Sequence, residues 1–144
     1  LAEPMGERMA RLGWPADVVA ERTAYVPVPL AAARQRERGF NQAELLARAV
    51  ARRQARPVWA DVLRRERFSA TQTRLTPSER AANVHQAFHV SPVARARIAG
   101  THLVLVDDVL TTGATLNAAA TVLFEAGARI ISYLTFGRAR SARD

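Results

Sequence analysis

Two adjacent aspartates, Asp107 and Asp108, end an apolar run in the stretch HLVLVDDVLTTGATL, residues 102–116, and after Val109 and Leu110 come Thr111, Thr112, Gly113, Ala114 and Thr115. A glycine among short hydroxyl side chains suits a phosphate. The glycine lets the backbone curl close to an anion, the threonine hydroxyls donate to phosphate oxygens, and the first N–H groups of a following helix carry partial positive charge. Carboxylates placed just before such a cradle repel phosphate but accept hydrogen bonds from sugar hydroxyls. Together the two halves describe a site for a ribose 5-phosphate. The plainer reading is a strand-to-helix loop in which Asp and Thr cap the helix. Two acids, a glycine and three threonines in this order after four apolar residues favour the ligand site.

The segments that must position these residues alternate in type. LAEPMGERMARLG has the pattern of an amphipathic helix stopped at Gly13, and AYVPVP that of a short strand closed by prolines. NQAELLARAVARRQ predicts a helix, with Asn41 at the N-cap, Glu44 three residues on, and Leu45, Leu46, Ala49 and Val50 along one face. VWADVLRRE has an extended pattern, and the polar, arginine-rich segment after it predicts a short helix from near Pro77. HLVLV predicts a buried strand, TLNAAATVLFEAGA a helix ended by Gly127, and RIISYLTF a final strand. Strands alternating with helices imply an α/β fold with a mostly parallel sheet flanked by helices on both faces, and ligands of such sheets bind beyond the strands' carboxyl ends.

Composition narrows the classes. The chain has 144 residues, 49% of them hydrophobic, which is the size and apolar content of a single domain spanning 1–144. There is no cysteine, so disulfides and thiolate metal sites are excluded within it. No apolar run approaches the length needed to cross a bilayer, and the first residues are too charged for a secretory signal, so a cytoplasmic protein without membrane insertion is expected. All 21 of the basic residues are arginine and the net charge is +8. That balance favours phosphate-bearing partners, whether nucleotides, nucleic acid or small phosphorylated metabolites; a biased genome is the alternative source.

VLVDDVLTTGAT resembles, along its whole length, the phosphoribosyl pyrophosphate (PRPP) motif of type I phosphoribosyltransferases. With VPVPL, RERGFNQAELLA and TQTRLTPSERAANVHQAF the chain is similar to the ComF/GntX family, phosphoribosyltransferase-like proteins linked to competence and DNA uptake. The likeness runs from about Tyr25 to Phe136. It implies a type I phosphoribosyltransferase fold with a flexible hood loop, PRPP as ligand, and competence-machinery proteins as candidate partners. Asp107 and Asp108 would take the ribose 2- and 3-hydroxyls, and Thr111, Thr112, Gly113, Ala114 and Thr115 would wrap the 5-phosphate. Arg34 and Arg38, in PLAAARQRERGFNQ, would belong to the pyrophosphate loop. Arg67, Arg74 and Arg80, in the hood segment, become catalytic candidates for stabilising departing pyrophosphate; solvated loop charge is their alternative. Family members commonly carry a cysteine-rich, zinc-binding segment ahead of this domain, so the chain is either a fragment or a member without that module.

The chemistry follows from general principles. Ribosyl transfer loosens the bond from C1 to pyrophosphate and passes through an oxocarbenium-like state, while negative charge grows on the leaving group. Mg²⁺ and arginines can neutralise that charge. Mg²⁺ keeps oxygen ligands and waters, so it would be held mainly through PRPP, with Asp107 and Asp108 touching it indirectly. His102, at a buried strand's start, reads as structural. His85 and His89 flank the hood segment and could touch ligand, whereas Trp14 and Trp59 read as packing residues. Two classes remain open: a Mg²⁺-dependent phosphoribosyltransferase, or a non-catalytic PRPP sensor or DNA-handling protein contacting single-stranded DNA or the uptake machinery. Aromatics at 6% are few for a base-stacking single-strand binder.

Overall fold

A computed structural model of the chain describes residues 22–30, 37, 39–65, 87–110 and 113–138, together with Pro4. Strand β1 (Arg22–Pro27) leads to helix α1 (Gln42–Arg53), then to β2 (Arg64–Arg65) and β3 (Phe88–His89). Helix α2 (Pro92–Ile98), β4 (His102–Leu110), α3 (Ala114–Glu125) and β5 (Ile130–Arg138) complete the order. The main sheet is parallel, in the order β1-β4-β5, and β2 and β3 form a separate antiparallel pair. The parallel α/β architecture expected from the alternation of segments is the one found.

The period-two arrangement of strand side chains builds two cores. Ala24 and Val26 of β1 and Leu103 and Leu105 of β4 face one side, where Ile98 of α2 and Leu116, Ala119 and Leu123 of α3 cover them. Tyr25, Val104, Val106 and Leu134 face the other side, against Leu46, Ala47, Val50 and Ala51 of α1. β4 is therefore buried on both faces, which is why HLVLV reads as continuously apolar rather than alternating.

Helix ends follow their sequence signals. Asn41 caps α1, its Oδ1 accepting from the Ala43 N–H at 3.1 Å. α3 ends in a Schellman turn: Ala128 N–H donates to the Leu123 carbonyl at 3.1 Å and Gly127 N–H to that of Phe124 at 2.9 Å. Gly127 takes φ +107°, a conformation that favours glycine, and a Cβ there would also sit tightly against Cα of Ala99 at 3.3 Å.

Several expectations are corrected. Leu45 does not join the buried face of α1; it is 41% exposed, and Leu46, Ala47, Val50 and Ala51 make the contact with the sheet. VWADVLRRE is not one extended segment. Val58 makes an isolated parallel bridge to Tyr25, a turn follows, and only Arg64–Arg65 is strand. Val62 and Leu63, between the turn and β2, are both buried in the core cluster that Val26 and Leu105 share. α2 is not among the segments expected from the sequence, although Ser91 and Pro92 mark its start: the Ser91 hydroxyl accepts from the Ala94 N–H at 3.2 Å. β4 does not stop at Val106 but runs on through the acidic pair, with Asp107 paired to Thr135 and Leu110 to Arg138. The helices expected near residues 1–13 and Pro77 lie outside the described residues.

Candidate functional site

Because β1 and β4 are adjacent and parallel, with Pro27 in register with Val106, their carboxyl ends open on the same edge of the sheet. The Val28 N–H donates to the Val106 carbonyl at 2.9 Å, carrying the pairing one residue beyond β1. A cavity of about 280 Å³ opens beside that edge. Its wall is assembled from the exit of β1 (Val28, Pro29, Leu30), the start of α1 (Asn41, Gln42, Ala43), Arg65 of β2, the acidic pair of β4, and Thr115 in the first turn of α3.

Asn41 holds two of these walls together. Its Oδ1 caps α1, and its Nδ2 donates to the Val28 carbonyl at 3.1 Å. The residue is 7% exposed, so both bonds sit away from water and the side chain fixes the start of α1 against the exit of β1. An adjoining opening of about 400 Å³ shares Pro29 and Asn41 with the first, but Glu44 and Arg48 in its wall are already ion-paired at 2.7 Å. The chemistry that the acidic pair can do belongs to the smaller cavity.

Asp107 and Asp108 are half-buried, and the Asp107 Oδ1 accepts the Asp108 N–H at 2.9 Å. Burial, then a side-chain hydrogen bond and the charge of Asp108, push Asp107 from 3.8 up to about 6; the Asp108 N–H and the Arg65 charge oppose this only in part. The folded chain therefore binds this proton more tightly than the unfolded chain. The stabilisation from that proton is fully present below about 3.8 and is lost as pH rises through about 6. We predict that melting temperatures of wild type and Asp107→Asn, measured across that interval, diverge: wild type loses stability relative to the variant as pH rises. Parallel curves would refute the assignment.

Gly113 is the N-cap of α3, in the left-handed region at φ +83°, and having no side chain it supplies no cap of its own. The first turn holds no acidic residue either. A glycine-started helix N-terminus beside a cavity is suited to an anion, and Thr115 in that cavity adds a hydroxyl.

Of the residues singled out from the sequence, Asp107, Asp108 and Thr115 meet at one cavity, with Gly113 and Ala114 at the head of α3. Thr111, Thr112, Arg34, Arg38, Arg67, Arg74, Arg80, His85 and Trp14 lie outside the described residues. His89 is exposed on β3 and is absent from the cavity wall. His102 is 1% exposed at the start of β4, the far end from the acidic pair, with Nε2 at 2.8 Å from the Ser132 hydroxyl. Trp59 packs on the core, with the Arg97 guanidinium 4.6 Å over its ring. Asn41, Gln42 and Arg65 join the site without having been marked for it by the sequence. Asn41 carries a signal only as a cap, and Arg65 is one arginine among many. Among the described residues no group of three or more His, Cys, Asp or Glu is placed to hold a metal ion, and no helix is long and apolar enough to cross a membrane.

Comparison with known proteins places this geometry. Residues 37–144 match the phosphoribosyl transferase domain family. The chain is 35% identical over 116 residues to Competence protein F of Haemophilus influenzae, covering 81% of this chain and 50% of that protein. It is 37% identical over 107 residues to the DNA utilization protein YhgH of Escherichia coli, covering 74% and 45%. To Competence protein ComFC of Bacillus subtilis it is 36% identical over 102 residues, covering 71% and 38%. It thus spans half or less of the length of these curated relatives. Among solved structures, glutamine PRPP amidotransferase from B. subtilis, complexed with ADP and GMP, superposes with a TM-score of 0.63 at 20% identity, over 94% of this chain and 26% of that one. The fold is therefore that of a type I phosphoribosyltransferase.

Proposed function

From a chain that belongs to the phosphoribosyl transferase domain family, in its ComF branch, we infer that the cavity at the ends of β1 and β4 binds PRPP and supports phosphoribosyl transfer. The observation that carries this reading is the convergence, in one cavity, of a half-buried aspartate pair with the glycine-capped start of α3. In this reading Asp107 and Asp108 accept hydrogen bonds from the ribose hydroxyls, while Thr115 and the first turn of α3 receive the 5-phosphate. Held at both ends, the sugar is oriented so that C1 faces an incoming nucleophile, and much of the entropic cost of reaction is met on binding.

Two carboxylates are oxygen donors of the kind Mg²⁺ prefers but too few for a dedicated cage, so the donor set fits an ion that arrives with the diphosphate and meets Asp107 and Asp108 through water or sugar hydroxyls. Such an ion would neutralise charge developing on the leaving diphosphate. The names of the relatives, a competence protein and a DNA utilization protein, favour a second reading, in which the site serves as a PRPP sensor within a protein that handles incoming DNA. Calorimetric titrations with PRPP plus Mg²⁺ and, separately, with a single-stranded oligonucleotide test both. Saturable PRPP binding is expected; its absence at millimolar ligand would sink the principal reading, while oligonucleotide binding that persists in Asp107→Asn/Asp108→Asn would place DNA outside the cavity.

A further inference from the structure

We propose that the outer edge of β5 is a self-association surface, on which a second copy of this chain pairs its own β5 antiparallel across a twofold axis; the inference is independent of what the cavity binds. The two edges of the sheet are treated differently. Along β1 the edge is closed by residues 57–59: the Tyr25 N–H donates to the Pro57 carbonyl at 3.0 Å, and the Trp59 N–H to the Tyr25 carbonyl at 2.9 Å. β5, at the other end of the order β1-β4-β5, pairs with β4, and among the described residues its outward backbone groups meet no hydrogen-bond partner. Exposed edges are ordinarily blunted by charge, proline or a bulge. IISYLTFG, which is β5 up to Arg138, holds neither charge nor proline, and no bulge breaks its register with β4. Such an edge is a template for another strand.

The side chains flanking that edge are apolar and exposed on both faces. Tyr133 is exposed on the face covered by α3, its hydroxyl donating to the Asn117 Oδ1 at 3.1 Å, and Phe124, two turns along the same stripe of α3, is exposed beside it. Phe136, on the opposite face by strand alternation, is exposed as well. Charge favours a second copy as the occupant. Each copy carries +8, so most approaches between copies bring like charges together, whereas two charge-free strands meet without that cost. A twofold axis normal to the sheet joins the two sheets into one, sets both copies of α3 on the same face and leaves neither β5 edge open, so the interface closes on itself. The area suffices. The nine residues of β5, at about 3.3 Å each, give an edge of roughly 30 Å; with the adjoining helix layer the strip is about 20 Å wide, or roughly 600 Å² per copy, at the lower bound of a stable interface.

The test is sedimentation equilibrium of the chain, joined to hydrogen exchange read by mass spectrometry over residues 130–138. A monomer–dimer equilibrium is expected, with the mass rising from 15.8 kDa toward twice that value as concentration increases, and with the β5 amides gaining protection in step. Added salt should strengthen the association by screening like charges, the reverse of association bridged by nucleic acid, which salt weakens. Tyr133→Lys and Phe136→Lys, each at an exposed position and checked for folding by its melting transition, should raise the dissociation constant by about 30-fold or more, because the twofold axis brings two like charges into one interface. Val93→Lys places the same charge on an exposed apolar residue of α2, outside the strip, and should leave the equilibrium unchanged. A monomer at about 100 µM protein, β5 amides that exchange alike at every concentration, association weakened by salt, or equal weakening by Val93→Lys would each overturn the proposal.

Discussion

Replacing both Asp107 and Asp108 by Asn is expected to abolish stabilisation by PRPP while leaving the fold intact. Ligand at about 100 times its dissociation constant stabilises a folded protein by roughly 2.7 kcal/mol, a rise of several degrees in melting temperature for a domain of this size. In the proposed function the acidic pair is the part of the cavity that reads sugar rather than phosphate, and an amide that can donate as well as accept does not replace a carboxylate that takes two hydroxyl hydrogens. The fold should survive, because Asp107 is kept partly protonated by its own burial, with a pKa raised to about 6, and a neutral isostere there relieves desolvation rather than adding to it. Differential scanning calorimetry of the double variant with and without PRPP and Mg²⁺ is the measurement. A retained ligand shift would show that the aspartates do not hold the sugar, and a collapse of the ligand-free transition would show that they are structural.

The second large effect is expected at Asn41. Asn41→Ala removes the cap of α1 and leaves the Val28 carbonyl without its side-chain donor in a buried setting. Loss of a cap costs typically ~1 kcal/mol, and a buried polar group stripped of its partner costs about 1–3 kcal/mol, so a total of roughly 2–4 kcal/mol is predicted for chemical denaturation. Asn41→Asp separates the two roles. Aspartate caps a helix as well as asparagine does but cannot donate to a carbonyl, and it adds a carboxylate to the cavity wall. It should therefore recover part of the stability lost in Asn41→Ala while binding PRPP more weakly than wild type. Full recovery of both would mean that only the cap matters and that the Val28 bond positions nothing.

What the sequence determined by itself is what depends on neighbours along the chain. The run HLVLV has no polar face to show water, so a strand covered on both sides is legible in those five residues alone, and two helix layers with it. Asn41 with Glu44 three residues on, and Gly127 after an apolar helix, are local signals with local causes: α1 begins at the first and α3 ends at the second. The Asp-Asp-to-Gly spacing, followed by a helix start, was enough to mark a strand's end as a candidate ribose-phosphate site.

Only the tertiary structure decided what depends on distant contacts. Extension of β4 through Asp107 and Asp108 is enforced by pairing with β5, which no pattern within 102–110 specifies. Leu45 falls outside the core because α1 meets the sheet along the stripe of Leu46, Ala47, Val50 and Ala51. Asn41 becomes a site residue only when Val28, thirteen positions earlier, is brought beneath its amide. Arg65 stands out from the chain's other arginines only because pairing with β3 sets it against Phe88, in the wall it shares with the acidic pair. Helix caps and buried strands are local energies, whereas a cavity is a meeting of segments, and its membership is fixed by packing.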